Sequence, residues 1–153
     1  MGVPEFRQSG GLSAFFTESG WGLMENDRQA TGEWGERVAE RYLRKREGMR
    51  FLERRWIHEH GELDLVMRRE TVMVFVEVRV RTGEANALAA YQSIGRHKWR
   101  VLRRTALAYL RQCRWRPEAV RFDVVGIRRT GAGKFQDLTH WENVGTFGPR
   151  FRF

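Results

Sequence analysis

Gly61–Arg81 reads GELDLVMRRETVMVFVEVRVR, two hydrophobic strands joined by a basic turn, with carboxylates at Asp64 and Glu77 inside them. In the second of these strands Val72, Val74, Val76, Val78 and Val80 take one face, while Met73, Phe75, Glu77 and Arg79 take the other. Both faces are apolar until Glu77, the pattern of a central strand covered on both sides, with polar chemistry only at its C-terminal end. A buried carboxylate is costly unless it is paired, hydrogen-bonded or bound to a metal. Asp64 and Glu77 therefore require partners.

Working outward, Thr31 reads as the cap of a helix whose first turn holds Glu33 and which runs through RVAERYLRKR to Gly48. Val38, Ala39, Tyr42 and Leu43 follow its 3.6-residue period, Gly35 allows close approach, and Glu36 lies at the edge of the buried face. A strand over Arg50–Trp56 follows, HEHG turns into a strand over Glu62–Met67, Arg68–Glu70 forms the next turn, and Thr71–Val80 is the third strand. Residues 81–88 read as a loop and Ala89–Gln112 as a helix that Gly95 can divide. RWRP closes it at Pro117, RFDVVGI is a strand, and KFQDLTH reads as a short final edge strand. The expected fold is an α/β sandwich with a mixed central sheet flanked by helices.

At 153 residues the chain fits one domain of 31–153 with an irregular C-terminal tail, preceded by an N-terminal extension over 1–30 that carries isolated aromatics such as Phe15, Phe16 and Trp21. The charge is unevenly spread. Residues 1–30 hold two bases against four acids, leaving the remainder with 26 bases against 15 acids, nearly all of the bases arginine. Such an excess favours a polyanionic partner and supplies bidentate phosphate donors. Arg81, Arg96, Arg100, Arg103 and Arg104 are the candidate nucleic-acid contacts. No segment approaches the roughly 20 apolar residues needed to span a bilayer, and the N-terminus lacks the basic and apolar regions of a signal peptide, so the expectation is a cytoplasmic protein without a membrane partner. Cys113, the lone cysteine, permits neither an intramolecular disulfide nor a cysteine zinc site. His58 and His60 flank a turn, and His97 and His140 read as surface positions. No P-loop or dinucleotide fingerprint occurs.

Carboxylates brought together repel unless they share a proton or a cation, and an all-oxygen site suits a hard divalent ion such as Mg²⁺ or Mn²⁺. Glu36, Asp64 and Glu77 are the candidate ligands, and Glu62, two residues before Asp64, is an accessory one that alternatively pairs with Arg55 or Arg68. Such an ion polarises a phosphodiester, and a nearby Arg or Lys stabilises charge developing on the phosphate.

GEWGERVAERYL, RWIHEHGELDLV, TVMVFVEVRVRTG, YQSIGRHKWRVLRRTALAYL and RFDVVGI together resemble the bacterial YraN family, also called UPF0102, over about residues 32–145. The resemblance implies the three-layer restriction-endonuclease-like sandwich of the PD-(D/E)xK nuclease superfamily, with a metal site. It implies that Glu36 is the helix glutamate that follows Gly35, Asp64 the aspartate of the Gly-Glu-Ile-Asp-Leu block, and Glu77 the glutamate of Phe-Val-Glu-Val-Lys. Glu62 falls in the same block as Asp64, and Lys98 matches a recurring lysine on the following helix.

One departure stands out, because Arg79 occupies the place of the motif lysine. Arginine stays protonated, so it can clamp phosphate but cannot act as a general base. Two readings follow. The first is a Mg- or Mn-dependent nuclease acting on DNA rather than RNA, including branched DNA, with Glu36, Asp64, Glu77 and Arg79 as catalytic residues and a symmetric homodimer suited to a two-stranded substrate. The second is a non-catalytic nucleic-acid-binding module on the same scaffold.

Overall fold

The structure, a computed structural model, describes residues 7–8, 27–83 and 87–145. The rest of the N-terminal extension, three residues of the 81–88 loop and the last eight residues of the aromatic tail lie outside them. The described elements run β1 (Arg7–Gln8), α1 (Asp27–Lys45), β2 (Arg50–His58), β3 (Gly61–Arg69), β4 (Val72–Thr82), α2 (Ala87–Gln92), α3 (Arg96–Gln112), β5 (Ala119–Arg129) and β6 (Phe135–Gly145). The sheet order is β1-β6-β5-β4-β3-β2. β4 and β5 pair in parallel from Val72 opposite Ala119 to Thr82 opposite Arg129, and every other pair is antiparallel. No described helix is long and apolar enough to cross a membrane.

Three layers result. The valine face of β4 packs with Leu65, Met67, Val125 and Ile127 against Val38, Ala39, Tyr42 and Leu43 of α1. Met73 and Phe75, on the opposite face, meet Leu102, Ala106 and Leu110 of α3 together with Phe122. Alternation thus places β4 centrally because each face of the strand has its own helix to bury against. Gly95 does divide the helical stretch, α2 ending at Gln92 and α3 starting at Arg96.

α1 starts at Asp27, four residues before Thr31, so Thr31 and Glu33 lie within the helix rather than at its cap. Nothing between Asp27 and Thr31 breaks a helix. Gly35 is packed so closely that a Cβ there would overlap Val80 Cγ2. Gly35→Ala is expected to destabilise by about 1–2 kcal/mol, overpacking outweighing the gain in helix propensity. A thermal melt that matches the parent would contradict that close approach.

Two expectations are corrected. KFQDLTH is neither short nor the sheet edge: β6 spans eleven residues, and β1 pairs along its outer side with Arg7 opposite His140. His140 is not a surface residue but 3% exposed, on the α1 side of the sheet, with its ring edge-on to Tyr42 at 6.0 Å. The reason is a buried partner. Asp123, fully buried, lies 2.9 Å from His140 Nε2 and 3.0 Å from Arg121 through Oδ2, and its Oδ1 accepts the Asn143 N–H at 2.9 Å.

Candidate metal centre

Strand alternation is interrupted where the carboxylates converge. On β3, Gly61 abuts Val101 and Thr105 of α3 and Leu63 joins the α3 core, but Leu65 and Met67 join the α1 core. The strand therefore changes face at Asp64. Its neighbour does so at the matching place: Arg54 bonds Glu40 of α1, Trp56 packs toward α3, and Arg55 between them has a φ of 51°. The regular register between β3 and β4 reaches only Leu65 opposite Val76. Beyond it, Asp64 Oδ2 accepts the Val78 N–H at 2.8 Å, a side chain taking the place of a ladder carbonyl.

The face change puts Glu62 on the α1 side, where Glu36 descends from the helix. Ligand oxygens of Glu36, Glu62 and Asp64 lie within 4.8 Å of one another. Glu62 also accepts from Arg55 Nε at 3.0 Å, and Arg55 reaches Glu33 at 2.7 Å. Glu36 is 7% exposed, and its Oε2 is buried with no hydrogen-bond partner among the described residues. Burial, then the charges of Asp64 and Glu62, push its carboxyl up to about 7 against the pull of Arg55 and Arg54. Burial also raises Asp64, opposed first by the Val78 N–H and then by Lys98.

Glu77 stands beside this trio rather than within it. Its Oε1 is held by Arg79 at 3.0 Å and by Lys98 of α3 at 3.2 Å, while Oε2 is buried without a partner among the described residues. Burial and the neighbouring Asp64 raise its carboxyl to about 7 in spite of the two cations. Glu36, Asp64, Glu77, Arg79, Arg81 and Lys98 line one cleft of about 700 Å³.

Arg28 and Arg129 line the same cleft and were not among the sequence candidates. Arg129 ends β5, which runs parallel to β4, and stands opposite Thr82, whose hydroxyl accepts its Nε at 3.1 Å, a juxtaposition of residues far apart along the chain that leaves no local signal. Arg96, Arg100, Arg103 and Arg104 are exposed on α3 and do not line the cleft. His58–Glu59–His60 and Glu47–His140–Glu142 also bring potential ligand atoms together. In the latter, His140 is already paired with Asp123, Glu142 with Arg121 and Glu47 with the Tyr42 hydroxyl.

The model of the uncharacterised protein family UPF0102 matches residues 35–127, which include all four carboxylates. The chain belongs to the UPF0102 family. A UPF0102 protein of Pelotomaculum thermopropionicum is 42% identical over 121 residues, 79% of this chain and 99% of that relative. Those of Beutenbergia cavernae and Mycobacterium tuberculosis are 40% and 37% identical, covering 77% and 80% of this chain and 98% of each relative. UPF0102 membership thus extends to most of the chain, on both sides of the cleft.

Proposed function

We propose that this UPF0102 protein is a divalent-metal-dependent nuclease of the restriction-endonuclease-like superfamily that cuts phosphodiester bonds in DNA. The observation that carries this reading is the trio of Glu36, Glu62 and Asp64, with ligand oxygens within 4.8 Å of one another, beside which Glu36 Oε2 is buried without a partner among the described residues. Closely spaced acidic oxygens repel one another, which makes them a poor structural device and a good receptor for a hard cation. Glu36, Asp64 and Glu62 would hold Mg²⁺ or Mn²⁺, and Glu77 would join through its unpartnered Oε2. Such an ion supplies Lewis-acid polarisation of the phosphate and makes an attacking water more acidic. Arg79 and Lys98 contribute fixed positive charge on Glu77, placed to offset negative charge growing on the phosphate. Arg79 stays protonated and so serves as a clamp, not as a base.

Incubating the purified protein with linear and branched DNA, with Mn²⁺, Mg²⁺ or chelator, tests this reading. Cleavage is expected only with metal, and Asp64→Asn is expected to lower it by about tenfold, one lost ligand at a site that keeps the others. Equal cleavage by Asp64→Asn and the parent would overturn the assignment.

The second reading, a DNA-binding module without catalysis, is favoured by one feature: both cations already hold Glu77 Oε1. Under it, metal and Asp64→Asn leave DNA affinity unchanged and no cleavage occurs. A gain of cutting in Arg79→Lys would point the same way, to a centre weakened by its arginine.

A further inference from the structure

α1 carries a second stripe, one face round from Glu36. Arg37, Arg41, Arg44 and Lys45 are exposed along it, and across a groove of about 1030 Å³ β2 contributes Arg50 and Arg54. Against these six cations the groove wall holds, among the described residues, one carboxylate, Glu40, which already bonds both Arg44 and Arg54. Two half-buried aromatics, Trp34 and Phe51, line the same walls, and the Arg54 guanidinium lies 5.9 Å from the Phe51 ring centroid. The groove adjoins the carboxylates. Arg37 follows Glu36 in the helix and contacts Glu33 at 3.5 Å, and Arg55 joins Glu33 to Glu62.

We infer that the groove between α1 and the edge strand β2 is the track for the nucleic-acid backbone, leading a strand toward the Glu36, Glu62 and Asp64 carboxylates. The inference rests on the nuclease reading for what lies at the end of the track. From Arg37 to Lys45 the helix rises about 12 Å, long enough for Arg37, Arg41, Arg44 and Lys45 to meet successive phosphates of one strand. An acidic peptide would also be attracted, but a concave, arginine-rich wall with aromatic faces suits phosphates and sugars better than scattered carboxylates. Arg96, Arg100, Arg103 and Arg104 line neither this groove nor the cleft.

Anisotropy of a fluorescein-labelled DNA duplex, titrated with the full chain in chelator over a series of salt concentrations, separates the two surfaces. The triple variant Arg37→Gln, Arg41→Gln, Lys45→Gln is expected to bind at least about tenfold more weakly at low salt, with the slope of log affinity against log salt falling by about 2–3. Arg100→Gln, Arg103→Gln, Arg104→Gln is expected to keep the parent slope, with melting temperatures reporting that both triples fold. An unchanged slope in the groove triple, a parent that binds without salt dependence, or displacement of the duplex by poly-L-glutamate as readily per charge as by unlabelled DNA would each overturn the inference. Because chelator is present, the nuclease reading can fail through metal-independent cutting while the track stands. Conversely, Asp64→Asn can lower cutting as expected while the groove triple refutes the track.

Discussion

Asp123→Ala is expected to cost about 3–5 kcal/mol of folding stability, because it breaks a buried ionic network from its centre. The carboxylate is fully buried and satisfies three groups: Arg121, the His140 ring and the Asn143 N–H. With alanine there, Arg121 retains Glu142 at 2.8 Å, but the His140 imidazole, 3% exposed, loses its acceptor where water does not freely reach, and the Asn143 amide loses one as well. The network also ties β5 to β6 where their pairing is irregular, between Phe122 and Val124. Asp123→Asn keeps one acceptor oxygen and is expected to cost less, about 1–2 kcal/mol. In urea the alanine variant should unfold at a midpoint lower by about 1–3 M. A shift of less than a few tenths molar would mean that the network is worth no more than a surface ion pair.

The metal-free protein is expected to become less stable as pH rises from about 4.5 to about 7, and Glu36 is the residue through which this is best read. Its carboxyl has an ordinary value of 4.5 and is pushed up to about 7 in the fold. The folded state therefore holds a proton that the unfolded chain releases, so the stabilising difference is fully present below about 4.5 and is lost as pH climbs through about 7. At about 1.4 kcal/mol for each tenfold change in proton activity this is about 3 kcal/mol, which screening in an open cleft reduces to about 2. Glu36→Gln, permanently neutral, should flatten that part of the profile and exceed the parent in stability at pH 8. Mn²⁺ should raise the stability of the parent at pH 8, by about 2.7 kcal/mol when present at a hundredfold over its dissociation constant, and do so less for Glu36→Gln. If the two proteins show parallel profiles without metal, Glu36 is not the strained acid that its surroundings indicate.

Much of the architecture was legible along the chain because it follows from local periodicity. The alternating valines of β4 revealed two buried faces, and the spacing of Val38, Ala39, Tyr42 and Leu43 marked the helix face that covers one of them. Gly95 announced the break between α2 and α3. His140 misled because a single histidine among polar residues carries no trace of a buried aspartate 17 positions earlier. The extent of β6 was likewise hidden, since its outer neighbour, Arg7–Gln8, comes from the far end of the sequence.

The carboxylates divide along the same line. Which acids sit in strands, and that β4 turns polar only at Glu77, is written in residue order, since side chains alternate at a fixed period. Only the tertiary structure decided that Glu62 joins Glu36 and Asp64 while Glu77 is held by Arg79 and Lys98. The physical reason is the change of face at Arg55 and Asp64. A left-handed backbone at one residue redirects every side chain beyond it, and what pays for that conformation is the packing of a hairpin between two helices, a set of contacts distant in sequence.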